Sequence, residues 1–501
     1  MPASLLTTRL GADGIPTAYV LAGVVLAWLV FRTFSAKNLR RIPTEGGPSL
    51  PIISFIGLYT FLTSGKEVLQ RGYEARKGRT FKVALIDRWL VVLSGKALVE
   101  ELQKMPDDTV ESATAEIFEM HHVFGVDWHK DPVHLPLLRS LTRNLGVVFV
   151  DMFEEMETAF RELVPAHNDR WVPVHVSPVF STIVTRAANR VFVGQPICRD
   201  GGYVHMMLHV AEDVTKAVAL LTIMPAFLKG LIARKATVID TRIQQCLDYL
   251  RPAIDDRMAM MARFGKEWDK PNDLLQWTID EVTARNWTPD NIARIILFIN
   301  FGAIETTSHA IIHALYDIAV RPEVAAALRE EAEIAVAEAG WTKAAMTKMR
   351  KLDSFLRESQ RMNGPTTVSM FRHVLRPVTL SDGTHLPAGT TVVTPTLPTH
   401  LDGANYADAG AFDALRFYRA AGVQPALVTT SADYITFGHG KHACPGRFFA
   451  ANELKAALAY VLVHYDVKPE HDGVRPPNVC NGLTVVPDAH ARVLFRKRQT
   501  D

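Results

Sequence analysis

The sequence predicts a mainly α-helical protein with a small β-sheet region, preceded by one N-terminal transmembrane helix. Helical periodicity dominates residues 96–365. Short β-branched runs bounded by turn residues cluster at residues 80–95 and 366–396. Residues 15–31 carry no charge, and this apolar segment is at the lower limit of the length that spans a bilayer.

The charges around the apolar segment predict its orientation. Four basic residues follow it closely: Arg32, Lys37, Arg40 and Arg41. On the other side, Arg9 and Asp13 cancel. Because basic flanks stay in the cytosol, we expect residues 1–31 to form a single-pass anchor with the body of the protein cytosolic. A cleaved signal peptide, the alternative, would carry basic residues before the apolar run and a small-residue cleavage site after it.

A short linker follows the predicted anchor. Residues 32–51 begin with the basic flank and contain "IPTEGGPSLP", whose three prolines and two glycines stiffen and turn the chain. Beyond it there is no internal repeat or second linker, so residues 52–501 are predicted to form one domain. The 55 basic and 53 acidic side chains nearly balance, which gives no electrostatic reason to expect nucleic acid as a partner.

The strand-like runs are separated by recognisable turns. In "TFKVALIDRWLVVLSG" (80–95), "IDRW" is the predicted turn of a hairpin. Residues 366–396 are interrupted at Asp382-Gly383, among other turn residues, which predicts several short strands. The stretch "NGLTVVPDAHARVLFRKR" (481–498) predicts one further hairpin at the C-terminal end.

One predicted helix is unusually long. Thr288 is a good cap and Pro289 suits the first helical position, and the apolar pattern then continues to Arg321-Pro322. About 32 residues would extend about 48 Å. Such a helix must cross the domain, so its middle, residues 300–310, is predicted to be buried.

Three side chains of this helix suggest a metal site as an alternative. Glu305, His309 and His313 are spaced four apart and share one helix face. The sequence lacks the HExxH pattern, however, because Ala310 follows His309. We therefore give this site little weight.

Cys444 has the sequence context of a metal ligand. It is one of four cysteines, whose distant and irregular spacing makes no disulfide framework. It comes just before a helical pattern, where unpaired backbone N–H groups stabilise a thiolate, the form of cysteine that binds metal. Gly438, Gly440 and Gly446 would let the backbone approach a flat cofactor. A small buried hydrophobe is the ordinary alternative.

A dinucleotide site is a further alternative for the same region. Gly438-x-Gly440-x-x-Ala443 matches a loose dinucleotide fingerprint, with Asp466 about twenty residues further on. Only 35 residues follow Asp466, which is too few to complete a doubly wound sheet. The fingerprint is therefore disfavoured.

The stretch Phe437-x-x-Gly440-x-x-x-Cys444-x-Gly446 resembles the haem-binding signature of the cytochrome P450 monooxygenases. Further motifs occur in the order of that family. Glu358-x-x-Arg361 resembles its ExxR pair, and "FDALRF" (412–417) supplies Arg416 to complete a Glu–Arg–Arg cluster. "FGAIETT" (301–307) resembles the oxygen-binding stretch of its long central helix. The resemblance implies the P450 fold.

The resemblance also implies the cofactor and its ligands. Haem b would be bound through its iron by the Cys444 thiolate. Other residues that would contact haem are Phe437, Gly438, His442, Arg372 and Arg143. His442 stands where the family usually has arginine, so its contact with a haem propionate would be a hydrogen bond or a titratable one. Arg372 and Arg143 match the propionate arginines, although Arg139 replaces the tryptophan expected before Arg143.

By the same resemblance, Glu305 and Thr306 are the predicted catalytic pair. The small Gly302-Ala303 pair would make room for oxygen, while the carboxyl and hydroxyl groups relay protons. For a threonine inside a helix, the simple alternative is a hydrogen bond back to a helix carbonyl. The cysteine motif favours the catalytic interpretation.

The resemblance finally implies an activity and its partners. We expect a haem-thiolate monooxygenase that inserts one oxygen atom from O2 into a lipophilic terpenoid or steroid-like substrate, in fungal secondary metabolism. Electrons would come from NADPH through a reductase carrying FAD and FMN, in the endoplasmic reticulum membrane. Residues 217–233 resemble the family's membrane-dipping region, with an ordinary buried helix pair as the alternative. A haem-thiolate isomerase or dehydratase, the alternative, usually lacks the acid–alcohol pair.

Overall fold

The protein is described from a computed structural model. It describes residues 39–49, 53–125, 133–224, 226–420, 422 and 424–499. The predicted architecture, mainly α-helical with small β-sheets, is confirmed. The predicted anchor, residues 1–31, lies outside the described residues, as do the beginning and end of the predicted linker, residues 32–51.

The described residues contain sixteen α-helices in two groups, before and after the long core helix α11. The helices up to and including α11 are α1 (Ser54–Ala75), α2 (Lys96–Lys104), α3 (Thr114–Ile117), α4 (Met120–Phe124), α5 (His134–Leu163), α6 (Val176–Phe192), α7 (Gly201–Thr222), α8 (Ala226–Ala236), α9 (Ile239–Phe264), α10 (Leu274–Ala284) and α11 (Asp290–Ala319). The helices after it are α12 (Pro322–Ala339), α13 (Lys343–Lys348), α14 (Arg350–Met362), α15 (Thr396–His400) and α16 (Arg447–His464).

The strands form four small sheets in the described part of the chain. They are β1 (Thr80–Ala84), β2 (Trp89–Leu93), β3 (Val110–Ser112), β4 (Val172–His175), β5 (Val368–Val374), β6 (Val378–Thr379), β7 (His385–Leu386), β8 (Thr391–Pro395), β9 (Tyr465–Pro469), β10 (Asn478–Asn481), β11 (Thr484–Pro487) and β12 (Arg492–Lys497). The strand orders are β1-β2-β8-β5-β3, β10-β11, β4-β12-β9 and β6-β7.

The largest sheet joins the two strand-like runs of the sequence. The predicted hairpin at 80–95 is confirmed, since β1 and β2 pair antiparallel from Thr80 opposite Leu93. β2 then pairs in parallel with β8, and β5 and β3 complete the sheet. The predicted turn at Asp382-Gly383 lies between β6 and β7. This sheet packs beside α1.

The predicted C-terminal hairpin at 481–498 is wrong in its pairing. β11 pairs with the preceding strand β10 across a two-residue turn, in which Gly482 has a φ of +54°. β12 joins another sheet between β4 and β9. There Val493 and Phe495 are buried against the main core, so burial decides the sheet that β12 joins.

The long core helix is confirmed within one residue at each end. α11 has 30 residues and begins at Asp290, so the predicted cap at Thr288 is wrong: Pro289 occupies the N-cap position, and no side chain caps the helix. The Thr288 hydroxyl instead accepts a hydrogen bond from the Asn291 side chain (3.1 Å). It packs against α6, α7, α9, α10, α14 and α16. Among the described residues it is the one helix long and apolar enough to cross a membrane, and 56% of its most apolar window is buried inside the domain.

Part of the predicted linker packs on the domain. Leu39 and Ile42 are buried. The Lys82 N–H donates to the Pro43 carbonyl (2.8 Å), and the Glu45 N–H donates to the Lys82 carbonyl (2.9 Å). Residues 43–45 therefore pair with β1 at Lys82.

Candidate active site

The loop around Cys444 is closed by its own backbone. The Cys444 N–H donates to the carbonyl of Phe437 (2.8 Å), a half-buried residue that packs against the main core. Gly438 adopts a φ of +70°, which glycine tolerates without strain. α16 begins at Arg447, three residues after the cysteine. The predicted position of the thiol at a helix start is confirmed.

Two opposing effects act on the Cys444 sulfur. Burial, the larger effect, raises the pKa of the thiol, while the backbone N–H groups of Gly446 and Arg447 and the Arg447 guanidinium oppose that rise. The Cys444 residue nevertheless presents open surface, so the sulfur lies in a recess whose walls are protein. A metal cation on the sulfur would replace the thiol proton. This environment suits a metal ligand.

The middle of α11 is open on one side only. Gly302 and Thr306 are exposed one turn apart, although Ile304, Thr307 and Ser308 between and beside them are buried. The Thr306 hydroxyl donates to the Gly302 carbonyl (3.0 Å), the back-bonding that the sequence left as the alternative. The same oxygen still has lone pairs that can accept a hydrogen bond from a ligand on the open side.

Glu305 faces a cavity of about 510 Å³ between α6, α7 and α11. Its walls include Met207, Phe301, Ser308 and His309. Burial raises the pKa of the Glu305 carboxyl, so the protonated form is favoured over a wider pH range than in water. The carboxyl group can therefore hold a proton next to Thr306.

The predicted Glu–Arg–Arg cluster is assembled and buried. The Arg361 guanidinium donates to both Glu358 carboxylate oxygens (2.7 and 2.8 Å), and the Arg416 Nε lies 3.1 Å from one of them. The Glu358 and Arg361 side chains are fully buried. Both arginines also donate to carbonyls in residues 400–411. The cluster therefore fastens α14 to the long segment that leads to the cysteine loop.

His400 connects this cluster to the cysteine loop, and sequence reasoning missed it. Its ring nitrogens contact the Arg361 carbonyl (3.0 Å) and the Ile435 N–H (3.1 Å). Burial lowers the pKa of His400 to about 3, so the ring is neutral and can donate with one nitrogen and accept with the other. Its partners are more than thirty positions away in the sequence, so no local pattern marks it.

Arg372 carries a buried guanidinium. Arg372 is 3% exposed, and its guanidinium donates to the neighbouring Phe371 carbonyl (2.9 Å). Burial lowers the pKa of Arg372 to about 10. A buried cation needs a charged or strongly polar partner. A carboxylate such as a haem propionate would provide it.

The other two residues predicted to contact the haem propionates, His442 and Arg143, contact protein side chains in the structure. The His442 Nε2 lies 2.9 Å from the Asp107 carboxylate, which also binds Lys441 (2.6 Å). Arg143 is exposed on α5, and its guanidinium donates to the Ser140 hydroxyl (3.2 Å). Among the described residues, no contact links Arg143 to Arg372, the other arginine predicted to bind a propionate. Asp107 was not anticipated, because it lies in a loop far from the motif.

The donor set fits haem in the recess beside Cys444. A thiol at a helix start supplies the metal ligand, and the backbone N–H groups of Gly446 and Arg447 stabilise its negative charge. Arg372 supplies a buried cation for a carboxylate arm. By contrast, the described residues contain no group of three His, Cys, Asp or Glu side chains that could hold a metal ion. The alternative site at Glu305, His309 and His313 is therefore not supported.

A comparison with protein families shows which family these motifs belong to. The family model described as "Cytochrome P450" matches residues 47–495. That range contains the cysteine loop, the Glu–Arg–Arg cluster and all of α11. It excludes only the predicted anchor, most of the linker and the last few residues.

Several curated fungal proteins are similar over nearly the whole chain. Cytochrome P450 monooxygenase 151 of Postia placenta is 42% identical over 97% of this chain and 100% of its own length. Cytochrome P450 monooxygenase CYP512U6 of Ganoderma lucidum is 34% identical, over 97% of each chain. Cytochrome P450 monooxygenase paxP of Penicillium paxilli is 32% identical over 95% of this chain and 94% of its own length.

Proposed function

Because this chain belongs to the cytochrome P450 family, we propose that it inserts one oxygen atom from O2 into a lipophilic, terpenoid or steroid-like substrate. The chain is a monooxygenase, and therefore an oxidoreductase, and its family binds haem through a cysteine thiolate. The observation that carries the proposal is the Cys444 sulfur, open to a recess at the start of α16.

Each haem-binding residue has a separate task in the proposal. Cys444 holds the iron, and the N–H groups of Gly446 and Arg447 stabilise the sulfur's negative charge. Arg372 would hold one haem propionate, and His442, which lies beside Asp107, would contact the other. When bound, haem supplies the activation of O2 with two electrons from a redox partner.

Glu305 and Thr306 move protons to the reacting oxygen. The Glu305 carboxyl takes up a proton from the cavity that it lines, and burial, which raises its pKa, favours the protonated form. The Thr306 hydroxyl accepts the proton from Glu305 and donates its own proton toward the open side of α11. To do so, it breaks its hydrogen bond to the Gly302 carbonyl. An isomerase or dehydratase would need no such relay, so we favour the oxygenase.

A Thr306→Ala variant tests the relay. We expect it to bind substrate and accept electrons, but to divert reducing equivalents to peroxide, because the proton donor is missing. Acid–base assistance of this kind is worth about 10²–10⁴-fold, so the yield of product per NADPH should fall sharply. The measurement is NADPH consumed, peroxide made and product formed by one preparation.

Thr306→Ser is the matched control, because it keeps the hydroxyl group. It should retain most of the coupling between NADPH and product. If Thr306→Ala has the wild-type ratio of product to NADPH, Thr306 has only a packing role and another group must donate the proton.

The substrate and partners belong to the same proposal. An apolar ligand suits the part of the cavity wall formed by Met207, Phe301 and Ile304. A role in fungal secondary metabolism is part of this proposal. Family members generally take electrons from a redox partner; here we propose an NADPH reductase with FAD and FMN. Lys441 and Arg447 flank the cysteine loop and are candidates for its docking face.

We further propose that residues 1–31 anchor the protein in the endoplasmic reticulum membrane with the catalytic domain in the cytosol. Deleting residues 1–31 should weaken membrane association and preserve haem binding, because the residues proposed to hold haem all lie between Arg143 and Cys444. Membrane flotation and haem content measure the two effects. Protection of the domain from protease inside sealed microsomes would show the opposite topology.

A further inference from the structure

The outer face of α7 carries a stripe of polar side chains. Four of them lie at intervals of four, three and four residues: His205, His209, Glu212 and Lys216. At these intervals side chains share one side of a helix. The two histidines are solvent-accessible, since His205 is exposed and His209 half-buried. On the buried side of α7, Met207 forms part of the cavity wall. The two histidines take no part in the proposed function.

The two imidazole rings lie side by side. Their centroids are 4.2 Å apart, and their planes are tilted by 42°. Two histidine nitrogens that share a tetrahedral zinc ion, each about 2.0–2.1 Å from it, lie about 3.4 Å from each other. The rings of His205 and His209 are therefore already close enough to share one ion. Histidines spaced four apart on one helix face can bind the same zinc ion.

A backbone hydrogen bond determines which nitrogen of His209 can bind a metal. The His209 Nδ1 donates to the His205 carbonyl (2.7 Å). Because a carbonyl oxygen can only accept, Nδ1 carries the hydrogen, and the lone pair of the neutral ring is on Nε2. Among the described residues, no hydrogen bond engages that Nε2. Metal-binding histidines are commonly oriented in this way, by an N–H bond from the second ring nitrogen to a carbonyl.

The histidine pair has a carboxylate nearby. The Glu212 carboxylate contacts the Lys216 Nζ (2.6 Å). The pKa of Glu212 is lowered, chiefly by Lys216 and to a smaller extent by His209, so the carboxylate and the His209 ring are close enough to interact. In the part of the chain that the structure describes, no three His, Cys, Asp or Glu side chains are grouped to hold a metal ion. The pair therefore offers two nitrogen ligands and leaves the remaining positions to water.

We infer that His205 and His209 bind one zinc ion on the outer face of α7. Neutral imidazole is a ligand that suits zinc, and zinc has no redox chemistry that could disturb haem. The ion would cross-link one turn of α7 and so stabilise this helix against local opening. Cys444 takes no part, so the zinc site is separate from the candidate active site, and zinc binding does not depend on the proposed function.

Calorimetric titration of the full chain loaded with haem tests the site, with zinc chloride as the probe. His205→Gln and His209→Gln each remove one ligand, and the double variant removes both. Glutamine is polar and suits these accessible positions, so we expect the variants to fold. His490→Gln is the matched control, because His490 is also exposed and has no other histidine within four residues. Magnesium chloride serves as the second probe.

The zinc site predicts a loss of affinity that is specific to the pair. Wild type and His490→Gln should bind one zinc ion per chain with equal affinity. Each single variant should bind it about tenfold or more weakly, since loss of even an outer partner of a metal ligand costs about 10–100-fold. The double variant should lose this binding. Magnesium, which prefers oxygen ligands, should give no signal. Wild-type zinc affinity in the double variant, or equally tight magnesium binding, would overturn the inference.

Two further measurements locate the ion and its effect. Cys444→Ala should bind zinc as wild type does, whether or not it holds haem, so failure of the proposed function would leave the zinc site standing. Loss of zinc binding in Cys444→Ala would place the ion at the cysteine and overturn the inference. With zinc, amide hydrogen exchange around residues 205–209 should slow in wild type and stay unchanged in the double variant. Unchanged exchange in zinc-saturated wild type would contradict the stabilisation of α7.

Discussion

The Cys444→Ala variant is expected to lose thiolate ligation of haem completely. The sulfur is the only metal ligand that we assign to this chain, and it sits where two backbone N–H groups and the Arg447 guanidinium can stabilise its charge. Alanine removes the ligand and leaves the loop backbone intact, including the Cys444 N–H bond to the Phe437 carbonyl. The absorption spectrum of the reduced, carbon-monoxide-bound variant measures the loss.

The other three cysteines are the controls for this variant. Cys198 and Cys246 are buried, and burial raises the pKa of Cys198 to about 11. Cys480 lies on β10, in a sheet of two strands. Cys198→Ala, Cys246→Ala and Cys480→Ala should each keep the thiolate spectrum. Retention of that spectrum in Cys444→Ala would mean that the ligand is misassigned.

The Glu358→Gln variant is expected to have the largest effect on stability. The uncharged amide would leave the Arg361 and Arg416 guanidiniums without their carboxylate at a fully buried position. Removal of one partner from a buried ion pair typically costs about 3–5 kcal/mol. Because the cluster reaches the cysteine loop through His400, we also expect the purified variant to retain little haem.

Thermal unfolding followed by circular dichroism, together with haem content, measures both effects. Lys348→Met is the matched control. Lys348 and its partner Glu338 are both about half exposed, and such surface ion pairs contribute about 0–1 kcal/mol to the free energy of unfolding. Its unfolding midpoint should stay close to that of wild type. A wild-type midpoint and full haem content in Glu358→Gln would show that the cluster does not fasten the loop.

Local sequence patterns predicted the helices and strands that depend mainly on neighbouring residues. The bounds of α11 follow from a proline at its start and an apolar pattern that ends before Arg321-Pro322, and the structure moves each end by one residue. The hairpin of β1 and β2 also depends on neighbouring residues alone. The pairing of β12 does not, because the burial of Val493 and Phe495 selects a sheet whose other strands, β4 and β9, come from elsewhere in the chain.

The same distinction applies to the residues of the candidate site. Glu358, Arg361 and Cys444 belong to motifs with fixed spacing, so the sequence could place them. His400 and Asp107 act through partners that only the folded chain brings close. Lys229 was visible as an interruption of an apolar run, but only the structure pairs it with Glu119, 110 positions earlier. Sequence patterns indicate which groups are unusual, while folding decides which groups meet.

One spectrum tests the central claim most directly. The purified full chain, reduced and exposed to carbon monoxide, should show the strongly red-shifted Soret band that distinguishes thiolate-ligated haem from histidine-ligated haem. Such a band would establish haem, its iron and a cysteine ligand in one measurement. A band typical of histidine-ligated haem, or a protein that takes up no haem, would contradict the assignment of a haem-thiolate monooxygenase.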